Sequence, residues 1–167
     1  MPQPEAPQKG PDFPDDKQLQ AWGDILFLAM RSERHRGWAA WQLREAFEPA
    51  VTTGQYKIFR FDGVPRGLIT YGLLSYDAEQ RYVAGGVLAP DDWRSGRQLW
   101  VTEIMAPYKG LTHAISRWLM KPGNLTEREF YFRRLTKSGE TRKVLHVDFQ
   151  GDRLGSVLNL AEFGLKK

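Results

Sequence analysis

The 167 residues contain no cysteine, which excludes disulfides, thiolate metal sites and a cysteine nucleophile. Such a composition fits a reducing compartment. Histidine is scarce as well, at three residues, and none has the regularly spaced partners of a metal site. No apolar run approaches the ~20 residues that a membrane span needs. Met1 to Asp16 lacks the charged and apolar regions of a signal peptide, so a cytoplasmic protein is expected. A phosphate-binding glycine loop, an HExxH pair and a GxSxG elbow are also missing. Nucleotide-loop, zinc-hydrolase and elbow-type serine chemistry are thereby disfavoured.

What is present is enough chain for one sizeable core, with six Trp, nine Phe and six Tyr to fill it. The net charge of +4 is unevenly placed. Residues 1–80 carry 9 basic and 11 acidic side chains, and residues 81–167 carry 15 and 9. A basic second half suits an acidic carrier, a nucleic acid or an anionic membrane surface.

Residues 1–14 hold five of the ten prolines and read as a disordered tail. A single domain is expected over 15–167. Asp15-x-x-Gln18 forms a capping-box pattern, after which Leu19, Trp22, Ile25, Leu26, Ala29 and Met30 recur at helical spacing. Gly23 interrupts that helix, and close packing is the expected reason. A second helix over Ala39 to Phe47 should stop before Pro49 and face the core with Trp38, Trp41 and Phe47.

From Gln55 the period changes to two, with Tyr56, Ile58, Phe59 and Phe61 in one strand, and Asp62-Gly63 marks a tight turn into a returning strand, Gly67 to Leu74. Strands are expected over Tyr82 to Leu88 and Leu99 to Met105, then a helix over Thr112 to Met120. A final hairpin, Arg128 to Leu135 and Arg142 to Phe149, turns at Lys137-Ser138-Gly139. The order implies an α+β fold with helices packed on a sheet.

His35 lies in the polar linker Ser32-Glu33-Arg34-His35-Arg36-Gly37. An imidazole is the side chain suited to general base chemistry near neutral pH, although a surface histidine in a basic loop is the plainer reading. Glu103 interrupts the apolar strand Trp100-Val101-Thr102-Glu103-Ile104-Met105. Alternation puts Val101, Glu103 and Met105 on one face, where a carboxylate needs a cation or imidazole partner; an edge-strand Glu facing water is the alternative. Asp92-Trp93-x-Ser95-Gly96 reads as a turn held by side-chain hydrogen bonds. Arg133-Arg134 and Arg142-Lys143 place cations on neighbouring strands.

Ser32-x-x-His35-Arg36-x-Trp38 and Asp92-Trp93-x-Ser95-Gly96-x-x-x-Trp100-x-x-Glu103-x-x-Ala106-Pro107 resemble the RTX toxin-activating lysine acyltransferases, the hemolysin-activating C-protein family. The resemblance runs from about Leu19 to Phe149. It implies a Gcn5-related N-acyltransferase-like fold, with a mixed, mostly antiparallel sheet flanked by helices. It also implies a fatty acyl group on acyl carrier protein as donor, no bound cofactor or metal, and a lysine side-chain amine of a polypeptide as acceptor. The superfamily's pyrophosphate loop, Gln/Arg-x-x-Gly-x-Gly/Ala, is missing here, which favours a carrier protein over coenzyme A.

His35 matches the family's essential histidine and Ser32 its nearby serine. Glu103 falls where the toxin activators have an aspartate, so a ribosomally made peptide acylated on lysine or ornithine during lipopeptide maturation fits as acceptor alongside an RTX protoxin. Arg134 falls near a basic residue of the family. For an acyl channel the candidates are Trp22, Met30, Ile104, Met105, Trp118 and Leu119. Nucleic acid is not needed as a partner on this reading, while a transient membrane surface and a homodimer stay open. The competing class is a non-catalytic basic module that grips nucleic acid or protein.

Overall fold

A computed structural model describes residues 10–165. Of the tail expected over 1–14, residues 1–9 lie outside the described residues. Residues 10–13 form a turn in which the Phe13 N–H donates to Gly10 O at 3.1 Å. Helix α1 spans Asp16–Ala29, and the Asp15/Gln18 capping box is formed reciprocally, as the sequence pattern implies. Its core face is Ala21, Ile25, Leu28 and Ala29, whereas Leu19, Leu26 and Met30 are exposed. Close packing does not explain Gly23, because a Cβ there would have no neighbour within 4 Å.

Helix α2 spans Ala40–Thr53 and contains Pro49, so it does not stop where the sequence suggests. A proline inside a helix costs about 3 kcal/mol. Burial of Phe47, Ala50 and Val51 against α1 and the sheet outweighs that, at roughly 1.5–3 kcal/mol for each large apolar side chain. Gly54, left-handed at φ 72°, then ends the helix.

Strands β1 (Tyr56–Phe61) and β2 (Val64–Leu74) form the expected hairpin, with Asp62 and Gly63 both at positive φ. The segment beginning at Tyr82 is not a strand. Helix α3 covers Tyr76–Val83, capped by Ser75, whose Oγ accepts from Ala78 N–H. Acidic Asp77 and Glu79 in its first turn and Arg81 in its last suit the helix dipole, and Gly85 at φ 97° follows its C-cap.

A short 3₁₀ turn, Pro90–Arg94, leads into β3 (Gln98–Met105). Then follow α4 (Leu111–Leu119), β4 (Glu129–Leu135), β5 (Thr141–Asp148), β6 (Gly155–Leu158) and α5 (Leu160–Leu165). The last two elements have no counterpart in the sequence reading. All six strands form one sheet in chain order, antiparallel except for β3–β4. It is the mixed, mostly antiparallel sheet flanked by helices that the resemblance implies.

Helices α1 and α2 cover one face over Leu68 and Met105, and Trp100 carries that layer on to α3 and α5. Helix α4 covers the opposite face over Ile69, Val101 and Phe130. The knot at residues 92–96 is structural, as read. Asp92 Oδ2 accepts from Ala89 N–H at 2.9 Å, and Ser95 Oγ accepts from Ser75 N–H at 2.9 Å. Gly96 lies against β2 so closely that a Cβ would sit 2.3 Å from Leu74 O.

Two glycines therefore respond oppositely to alanine in urea unfolding. Gly96→Ala is expected to lower stability by about 1–3 kcal/mol through overpacking against backbone. Gly23→Ala, in open space on a helix, is expected to raise it by about 0.8–1 kcal/mol. Equal midpoints for the two variants would contradict both assignments.

Candidate active site

The short loop between α1 and α2 packs His35 inward. Backbone turns close it, with His35 N–H and Arg36 N–H both donating to Ser32 O, at 3.1 and 2.9 Å. The imidazole is 2% exposed, wedged edge-on to Trp38 at 4.6 Å between ring centroids and near Phe47 at 6.1 Å. It is not a surface histidine. Its Nδ1 lies 2.7 Å from Ser32 Oγ, a hydrogen bond that fixes the ring. Its Nε2 makes no hydrogen bond, although it is buried. A buried polar atom left open in this way calls for a reason.

Glu103 supplies the nearest group. Its Oε1 lies 3.6 Å from His35 Nε2, outside hydrogen-bond range, and accepts from Arg34 Nη1 at 2.9 Å and Ile104 N–H at 3.2 Å. A bulge in β3 aims the carboxylate. The β2 register runs from Thr70↔Glu103 to Tyr71↔Val101, so Thr102 is an extra residue. Simple alternation would have put Glu103 with Val101. The extra residue instead leaves Val101 over α4 and turns Glu103 to the face covered by α1 and α2. Thr102 is tied down by Thr70, with 2.8 Å between the hydroxyl oxygens.

Strands β3 and β4 pair only at Trp100↔Tyr131 and Val101↔Phe132, then diverge. The cleft that opens there has two connected arms of about 290 and 470 Å³, and Arg34, Tyr82, Thr102, Glu103 and Arg133 line both. Arg133 lies across the Tyr82 ring at 3.5 Å and donates to Tyr82 O at 2.6 Å. Burial raises the Tyr82 phenol above its ordinary pKa, against the lowering influence of Arg133. It therefore stays neutral, and its hydroxyl donates to Thr102 O at 3.2 Å.

The structure thus brings Ser32, His35 and Glu103 together and sets Ile104 in the cleft wall. The remaining residues of the expected acyl channel lie elsewhere. Met105 and Leu119 are buried in the core, and Trp22 packs between α1 and its neighbours. Trp118 meets Phe59 edge-on, and Met30 is 58% exposed at the end of α1. Arg134 is exposed, on the opposite side of β4 from Arg133, which is the cleft residue. Tyr82 escapes the sequence reading because its segment looks like a strand, and Arg133 figures there only as one of a cationic pair, with Arg134 as the site residue. The Gly85-Gly86 pair just after it is the signal that marks the cleft wall.

Among the described residues, one cluster has metal-ligand chemistry: Glu129, His146 and Asp148, with ligand atoms within 4.8 Å of one another. It sits at the far end of β4 from the cleft and is closed by its own hydrogen bond, His146 Nε2 to Glu129 Oε2 at 2.7 Å. Tyr131 stacks on that imidazole, and its phenol is pushed up to about 12, by burial first and then by Glu129. Among the described residues no helix is long and apolar enough to cross a membrane.

The model of the RTX toxin acyltransferase family matches residues 15–148. A leukotoxin-activating lysine-acyltransferase of a Pasteurella haemolytica-like species is 30% identical over 137 residues, covering 79% of this chain and 78% of that protein. An RTX-II toxin-activating lysine-acyltransferase of Actinobacillus pleuropneumoniae is 32% identical over 87 residues, 52% of this chain and 54% of that protein. A protein-lysine palmitoyltransferase of Bordetella bronchiseptica is 33% identical over 89 residues, 53% of this chain and 48% of that protein. These last two matches span about half the length of each relative. With a family match that takes in the loop of His35, the Thr102 bulge and both sides of the cleft, this chain belongs to the RTX toxin acyltransferase family.

Proposed function

We propose that this protein transfers a fatty acyl group from acyl carrier protein to a lysine or ornithine side-chain amine of a polypeptide, in the cytoplasm. The observation that carries the reading is the open Nε2 of His35, buried and oriented by Ser32 beside a cleft that divides the sheet. The relatives' names supply the lysine acceptor. An RTX-type protoxin and a ribosomally made peptide in lipopeptide maturation are the two acceptor classes.

With Nδ1 protonated and donating to Ser32 Oγ, Nε2 presents its lone pair. An ammonium, with a pKa near 10.4, is no nucleophile, so the acceptor first loses a proton to solvent. Its nitrogen then attacks the thioester carbonyl, the C–N bond forms, and the second proton passes to Nε2. Glu103, 3.6 Å away, stabilises the resulting imidazolium. A backbone amide at the Thr102 bulge meets the oxyanion. When the C–S bond breaks, the leaving thiolate takes the proton from Nε2. Because His35 is 2% exposed, the amine reaches it only where Arg34 parts from Glu103, and Arg34 is the exposed member of that pair. No acyl-enzyme is needed, since Ser32 is engaged with Nδ1 and serves as a positioning residue.

The test is incubation with fatty-acyl carrier protein and candidate peptides, read by mass spectrometry. A mass shift on Lys or Orn is expected, reduced about 10²–10⁴-fold in His35→Ala with the fold retained by circular dichroism. Unchanged acylation by that variant would remove His35 as the base, and a wild-type protein that only binds would favour the basic-module reading. Ser32→Ala should lower kcat by roughly fivefold, the worth of one orienting hydrogen bond of about 1 kcal/mol. The cationic rim, Arg34, Arg133 and Lys137, faces the donor's approach. The KM for carrier protein should therefore rise with ionic strength while kcat holds, and a salt-independent KM would speak against electrostatic docking.

A further inference from the structure

The two arms of the cleft share Arg34, Tyr82, Thr102, Glu103 and Arg133 and differ in what lies beyond those residues. Beyond them the larger is lined by Val101, Ile104, Phe132 and Leu135 and, at its cationic edge, by Thr136 and Lys137. The smaller, of about 290 Å³, lies between α2 and the segment 85–93, and its walls are Trp38, Trp41, Ala46, Val87, Leu88 and Trp93. Leu88 and Trp93 are buried, whereas Trp41 and Val87 are 65% and 68% exposed. The arm thus descends from an open apolar rim to a closed apolar floor. Side chains of that size grouped at a mouth mark a surface that something apolar covers.

We propose that this aromatic arm holds the donor's hydrocarbon chain, and that Ala46 and Val87 set the chain length it admits. The inference rests on the acyl-transfer reading above. An acceptor polypeptide carries backbone N–H and C=O groups that demand partners when buried. Away from the junction with the larger arm the polar members offer little: Gln42 uses its amide oxygen on Ala39 N–H at 2.8 Å, the Thr70 hydroxyl is paired with Thr102, and Glu45 is exposed. A saturated chain demands none. The room between three tryptophans comes from small residues. Ala46 is the smallest side chain on the α2 wall. The segment opposite contributes Gly85 and Gly86, which carry no side chain. The arms meet at Glu103, so a chain seated here leaves its thioester beside His35 and its carrier on the cationic side.

The experiment competes octanoyl-, dodecanoyl- and hexadecanoyl-carrier protein against one another on a fixed acceptor peptide, with wild type, Ala46→Phe and Val87→Trp. Val87 is exposed, so its replacement tests the rim without burdening the core; thermal unfolding monitors Ala46→Phe. The ratio of octanoyl to hexadecanoyl kcat/KM is expected to rise by about fourfold per methylene excluded, the ordinary worth of burying one CH₂. Trp41→Ala, widening the rim, is expected to lower that ratio. Active variants whose length profile matches the wild type would overturn the chain site while leaving acyl transfer intact. A wild type inactive with every donor would instead overturn the transfer reading and this inference with it.

Discussion

Everything functional in this fold follows from how briefly β3 and β4 touch. Each strand has an antiparallel partner on its other edge, β2 for one and β5 for the other, and those ladders fix their directions. Between them only two residue pairs form a parallel ladder. Trp100 secures that junction: it stacks on Tyr131 at 5.2 Å, meets Tyr82 edge-on, and donates its indole N–H to Glu79 at 3.0 Å. Beyond the junction the sheet has to open, because neither strand can leave its partner to close the gap. A wall of backbone groups becomes a cleft at that point.

The bulge at Thr102 gives the opening its chemistry. Without the extra residue, Glu103 would lie over α4 among Ile69 and Phe130, an apolar layer in which a carboxylate has no partner. With it, the same side chain meets Arg34 and the buried imidazole. Ser32 and His35 need no such rearrangement. They sit three residues apart in one tight turn, and their contact is made locally.

That contrast explains how much the sequence discloses. Features determined by neighbours in the chain are legible: the Asp15 capping box, the Asp62-Gly63 turn and the knot at 92–96. Features decided by distant packing are not. Pro49 reads as a stop, yet burial of the residues around it carries α2 onward. Tyr82 to Leu88 has the apolar content of a strand, yet the Ser75 cap and the charges of the preceding turn make a helix that ends at Gly85. Which of Arg133 and Arg134 enters the cleft depends on the phase of β4, and the position of Glu103 on one unpaired residue. The 3.6 Å separation of Glu103 from Nε2 is likewise a property of the packed loop and the bulge together.

Helix α5 lies past residue 148, where the family match stops. Its Phe163 is 2% exposed and meets both Trp100 and Tyr131, at 5.8 and 6.3 Å. The segment outside the shared family region therefore serves as a lid on the rings that pin the strand junction. A boundary drawn from family likeness would cut through the core of this molecule, and a fragment trimmed there would expose to water the aromatic contact that holds the cleft in shape.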